Sequence, residues 1–128
     1  MHLNKIHHIA IICSDYERSK AFYTKILGLT IKSEVFRAER NSWKVDLALN
    51  GDYVIEFFTY VNPPERPTTP EACGLRHLAF EVDSVEDVYD ELTAKNIVCE
   101  LIRIDEFTNK HFFFAFDPDN LPIEFYEK

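Results

Sequence analysis

The chain has 128 residues, 46% hydrophobic and 28% charged, a balance suited to one compact soluble domain and not to a disordered segment. Its 22 acidic against 14 basic side chains leave a formal charge of −8, which repels a phosphate backbone and argues against nucleic acid as a partner. The longest uninterrupted apolar runs, Ile9 to Cys13 and Phe112 to Phe116, are five residues each, far below the ~20 needed to cross a bilayer, and no signal peptide is read ahead of the first strand, so no membrane association is expected.

Taken in order, the chain opens with a strand predicted from about Ile6 to Cys13. Alternation puts Ile9, Ile11 and Cys13 on a helix-facing side and His8, Ala10 and Ile12 on the other. Ser14-Asp15 supplies an N-cap. Ser19, Phe22, Tyr23, Ile26 and Leu27 then recur at helical spacing before Gly28, which predicts a helix from about Tyr16 to Leu27. Thr30 to Phe36 reads as a strand, followed by the charged connection Arg37 to Asn41. Trp43 to Leu49 and Tyr53 to Thr59 read as a hairpin across Asn50-Gly51.

Four of the six prolines, Pro63, Pro64, Pro67 and Pro70, fall between Tyr60 and Gly74. A central strand cannot spare that many amide donors, so this stretch is read as a linker, 61–74, between module 1 (about 5–60) and module 2 (75–128). Module 2 repeats the plan, with a strand at Leu75 to Val82 and a capping pattern at Ser84 to Asp87. A helix follows with Val85, Val88, Tyr89 and Leu92 on one face. Strands at Val98 to Ile104, Lys110 to Phe116 and Leu121 to Glu127 complete it, the last entered through the turn Asp117-Pro118-Asp119-Asn120. The expected fold class is α+β, two βαβββ modules forming a cup-shaped mixed sheet with the helices outside. Cys13, Cys73 and Cys99 are odd in number and form no Cys-x-x-Cys pair, which suggests neither a disulfide framework nor a thiolate zinc site, and points to a reducing cytoplasm. Cys13 and Cys99 fall in predicted strands and read as small core residues.

His8-Ile9-Ala10 in the first strand returns as His77-Leu78-Ala79, and Ile55-Glu56-Phe57 returns as Ile123-Glu124-Phe125. The histidines are 77 − 8 = 69 residues apart and the glutamates 124 − 56 = 68 apart. Two separately placed pairs with one offset indicate an internal duplication. If the apolar neighbours face the helices, His8, Glu56, His77 and Glu124 all face the opposite, concave side. A lone strand histidine is more often structural than a ligand, and a glutamate between apolar residues is often just solvated. Core packing, however, does not demand a His and a Glu at equivalent places in both halves. Two neutral imidazoles and two carboxylates balance a divalent metal, and N2O2 donors suit zinc, nickel, cobalt, iron or manganese. His7 is the competitor for His8, but it has helix-facing parity, and Arg76 stands at its repeat position.

Together His8, Asp15, Phe22 to Leu29, Gly74 to Phe80 and Asp117 to Glu124 resemble the vicinal-oxygen-chelate superfamily, which includes glyoxalase I, bleomycin-resistance proteins, extradiol dioxygenases and fosfomycin-resistance enzymes. A full set of His8, Glu56, His77 and Glu124 is most similar to glyoxalase I, which isomerises the hemithioacetal of methylglyoxal and a thiol to a thioester. The resemblance implies one divalent metal per site, with nickel, cobalt or zinc ahead of iron or manganese. It also implies catalytic roles for Glu124 and Glu56, with Glu124 as the base that moves a proton beside a carbonyl, and a homodimer in which the site closes within one chain or across two. Glyoxalase I often has a glutathione-contacting arginine on its first strand, and Ala10 to Cys13 contains none. Arg37, Arg40, Lys44 and Lys110 are candidates for an anionic substrate group instead, and the thiol of a substrate adduct need not be glutathione. Trp43 is expected to pack, with ligand contact the lesser reading. The rival readings are an extradiol-type dioxygenase, a thiol transferase, or a non-catalytic protein that binds a small aromatic compound.

Overall fold

The computed structural model describes residues 1–128, which divide into two compact units, Met1–Pro64 and Glu65–Lys128. Each is a βαβββ module, as the repeat in the sequence requires. In the first unit β1 (Ile9–Cys13), β2 (Thr30–Arg37), β3 (Ser42–Leu49) and β4 (Asp52–Thr59) form a mixed sheet ordered β1-β4-β3-β2. In the second, β5 (Leu78–Val82), β6 (Arg103–Ile104), β7 (His111–Phe116) and β8 (Pro122–Glu127) form a sheet ordered β5-β8-β7-β6. First and last strands pair in parallel in both, so the two ends of each module lie side by side.

Alternation along these strands separates core from exposed face. In β1, Ile11 and Cys13 are buried while Ala10 and Ile12 are exposed, and in β4 Ile55 and Phe57 are buried at 1% and 0% exposure. Ile123 and Phe125 do the same in β8. Each fully buried aliphatic or aromatic side chain contributes on the order of 1.5–3 kcal/mol, so register is held by the burial of one face. Slipping either strand by one residue would expose its apolar set.

The helix expected from Tyr16 to Leu27 is there but changes pitch. Asp15 caps α1 (Tyr16–Ala21) by accepting from the Arg18 amide at 3.0 Å, and a π-helical turn then runs over Phe22–Ile26. The wider turn accompanies two adjacent aromatics, Phe22 and Tyr23, that are both buried. Gly28, at φ 79, ends the segment. In the second unit Ser84 caps α2 (Val85–Ala94) by accepting from the Asp87 amide at 3.1 Å, and Val85 and Leu92 are its buried residues.

The hairpin between β3 and β4 turns at Asn50 (φ 52) and Gly51 (φ 88), the positive pair a two-residue turn needs. Asp117 organises the last turn, its carboxylate accepting from the amides of Asp119 and Leu121 at 2.9 and 2.8 Å. Two strands start later than the sequence reading has them: β1 at Ile9 and β5 at Leu78. The strand expected over Val98 to Ile104 reduces to Arg103–Ile104 plus a lone Cys99–Ala115 bridge. Val98 and Leu101 are 79% and 78% exposed, so β-branched composition there had no burial to support it. Cys99 is correspondingly half-buried and outside any strand, whereas Cys13 is a core residue as its alternation predicts.

Candidate metal centre

Register brings one histidine and one glutamate together in each unit. Ala10 is the parallel partner of Glu56, and Ala79 that of Glu124. His8 and His77 lie two residues before those alanines, so each histidine shares a face with its glutamate. His8 Nε2 stands 3.9 Å from Glu56 Oε1, and His77 Nε2 stands 3.1 Å from Glu124 Oε2. Burial is matched as well: both histidine side chains are 35% exposed, the glutamates 14% and 13%.

These pairs suit a metal. Ligands about 2.0–2.2 Å from one ion lie about 3.0–3.4 Å from each other, close to the 3.1 Å pair and a small adjustment from the 3.9 Å one. Three or more His, Cys, Asp or Glu side chains do not gather within either unit. Each module therefore offers two donors. His7, which parity assigns to the helix side, is exposed ahead of β1 with its Nδ1 2.8 Å from His8 Nδ1. One of those two nitrogens must carry the proton. If His8 donates, its Nε2 keeps the lone pair a metal needs.

Around Glu56 the first unit builds a polar network that sequence reading misses. Asp46 lies directly opposite Glu56 on β3, and Lys44 is two residues along on the same face. Lys44 Nζ is 2.8 Å from Asp46 Oδ1 and 3.1 Å from Glu56 Oε2. The Tyr53 hydroxyl donates toward the same two carboxylates, at 3.2 Å to Asp46 and 2.9 Å to Glu56 Oε2, and Ser33 Oγ donates to Asp46 Oδ2 at 2.7 Å. Burial, then the Glu56 acceptor, push the Tyr53 phenol well above its ordinary range, so it stays a donor. Hydrogen bonding by Asp46 outweighs desolvation and holds the Lys44 ammonium charged. Its hydrogen bonds from Lys44 and Ser33 likewise outweigh a larger desolvation cost and keep Asp46 ionised.

The remaining sequence candidates are spread out. Arg37 donates to Ser42 Oγ at 2.7 Å and covers the Phe58 ring at 4.6 Å. Trp43 stacks on Tyr16 at 4.3 Å. Lys110 reaches the Lys128 carbonyl. Lys44 is committed to Asp46 and Glu56. A polar hollow of about 400 Å³ adjoins the Tyr53 network, with Lys5, Lys32 and Asp52 in its wall. Lys32 Nζ sits 5.6 Å from the Tyr53 ring centroid.

The fold and the paired donors define the class: residues 5–125 match the model of the Glyoxalase/Bleomycin resistance protein/Dioxygenase superfamily, and the chain belongs to that family. Among its relatives, the uncharacterized protein YwkD of Bacillus subtilis is 59% identical over 128 residues, covering 100% of both chains. The crystal structure of a glyoxalase family protein from Enterococcus faecalis superposes with a TM-score of 0.91 at 44% identity, over 99% of this chain and 100% of that one. A lactoylglutathione lyase of Schizosaccharomyces pombe is 27% identical over 146 residues, 94% of this chain and 46% of its own length.

Proposed function

We propose that the protein is a metal-dependent lyase or isomerase of the glyoxalase I type, with His8, Glu56, His77 and Glu124 as ligands for a divalent ion, nickel, cobalt or zinc. The observation that carries this reading is the His–Glu pair set twice at one register, with equal burial in both copies. The 27% likeness to a lactoylglutathione lyase favours the same chemistry. When bound, the ion would supply Lewis acidity toward two neighbouring substrate oxygens. The substrate class is a small hemithioacetal or another molecule with adjacent oxygens.

Glu124 takes the acid–base role. It removes a proton from the carbon beside a carbonyl and returns it to the next carbon, a task that needs a carboxylate free to approach and withdraw. Its only ion-pairing partner is His77, and Phe114, opposite it on β7, supplies no donor. Glu56 is held by Lys44 and Tyr53, so it serves as the fixed carboxylate. The hollow beside Tyr53 would receive a polar part of the substrate, with Lys5 and Lys32 available to an anionic group. A homodimer in the cytoplasm is the setting that fits this reading.

Elemental analysis of untagged protein tests it, with hemithioacetals of several thiols assayed in parallel. About one nickel, cobalt or zinc per site is expected, with metal and turnover both lost in His77→Ala. Protein that stays metal-free after soaking with each ion would sink the proposal. Oxygen consumption with a catechol would replace it by the dioxygenase reading.

A further inference from the structure

Because the modules are copies, each residue around Glu56 has a counterpart 124 − 56 = 68 positions on around Glu124. Lys44 corresponds to Phe112, Asp46 to Phe114 and Tyr53 to Leu121. Register supports the correspondence, since Asp46 faces Glu56 on β3 as Phe114 faces Glu124 on β7. All three polar groups of the first copy are apolar in the second. We propose that Lys44, Asp46 and Tyr53 form a brace of positioning residues that ties down Glu56 Oε2, so that Glu56 offers a bound metal its Oε1 alone. This rests on the reading that the chain holds a divalent metal, and adds a specialisation of one half of the site to it.

The geometry separates the two oxygens of Glu56. Oε2 takes hydrogen bonds from Lys44 Nζ at 3.1 Å and Tyr53 at 2.9 Å, while Oε1 is the oxygen toward His8. Lys44 is in turn balanced by Asp46, and Asp46 by Ser33 and Tyr53, so the brace brings no surplus charge near a cation. A carboxylate with one oxygen satisfied by fixed donors is oriented before the metal arrives and loses little freedom on binding it. Glu124 has no such donors in its module and keeps the freedom to move.

The test is calorimetric titration of the full chain with cobalt(II) and with nickel(II), with circular-dichroism melts to confirm folding. Removing Lys44 alone would also delete a charge that repels the cation, so the informative variants preserve net charge: Tyr53→Phe, and Lys44→Met combined with Asp46→Asn. Each should raise the metal dissociation constant about 10-fold, the usual scale for partners of a metal ligand. The bound cobalt spectrum should change in both. Lys20→Met with Glu34→Gln removes another 2.8 Å ion pair of the same module and should leave affinity unchanged. Wild-type affinity and spectrum in both brace variants, or equal weakening in the Lys20 and Glu34 control, would overturn the brace while leaving metal binding intact. A wild-type chain that binds neither ion would overturn the brace, and the functional reading would fall with it if zinc(II), titrated in the same way, is not bound either.

Discussion

Glu56 and Glu124 occupy equivalent strand positions with equal burial, yet the first sits among Lys44, Asp46 and Tyr53 and the second beside Phe112 and Phe114. In the second unit the aromatic side chains support the histidine instead: the His77 ring meets Phe114 edge-on at 5.2 Å, and Arg103 covers both phenylalanines at 5.0 and 5.5 Å. A duplicated pair has thus kept its donors and diverged in what steadies them. The first copy holds its carboxylate as well as its imidazole, which stacks on Tyr53 at 5.2 Å, whereas the second holds the imidazole alone.

Replacing each glutamate by glutamine should break the symmetry most. In Glu124→Gln the amide oxygen is free to face the metal, so metal should stay while kcat falls about 10²–10⁴-fold, the contribution of a general base. In Glu56→Gln, Lys44 and Tyr53 both donate, so they capture the amide oxygen and turn the NH2 toward His8. That variant should lose metal affinity first. Elemental analysis beside turnover reads both, and equal behaviour of the two variants would remove the distinction between fixed and mobile carboxylates.

Where the halves agree, substitutions should cost the same. Ile55 and Ile123, 123 − 55 = 68 positions apart, are 1% and 0% exposed beside their glutamates. Truncating either to alanine leaves a cavity worth about 2–5 kcal/mol, and urea unfolding should give similar losses for both. A loss at one site only would show that the shared pattern hides unequal cores.

The metal-centre candidates were legible because period-two alternation and one offset place them without any knowledge of strand pairing. The brace was not. An unbroken ladder from the Asn50-Gly51 turn would set Asp46 against Ile55. Instead a bulge leaves Val54 unpaired, Leu47 pairs with Ile55, and Asp46 comes to face Glu56. That one-residue shift sets Asp46 directly across from Glu56, a pairing that only the folded register reveals. The failed strand at Val98 to Ile104 errs the other way, since local propensity is visible in sequence and the burial that must support it is not.

The smallest expected effect concerns the polar group of the second unit, which is built around Asp105 rather than Glu124. Asp105 accepts from the Phe107 amide and from the Tyr126 hydroxyl, both at 2.9 Å, and Tyr126 also meets Thr108. The Phe107 amide first, then Tyr126, hold the Asp105 carboxyl below its ordinary value of 3.8. A depressed carboxylate stabilises the fold above its unfolded value and loses that stabilisation as pH falls through the folded one. Stability should therefore drop below about pH 4 with a steeper slope in the wild type than in Asp105→Asn. Asp105 is only half-buried and solvent screens it, so the difference in acid melting should be modest. Identical slopes would mean that these hydrogen bonds order the loop without contributing to stability.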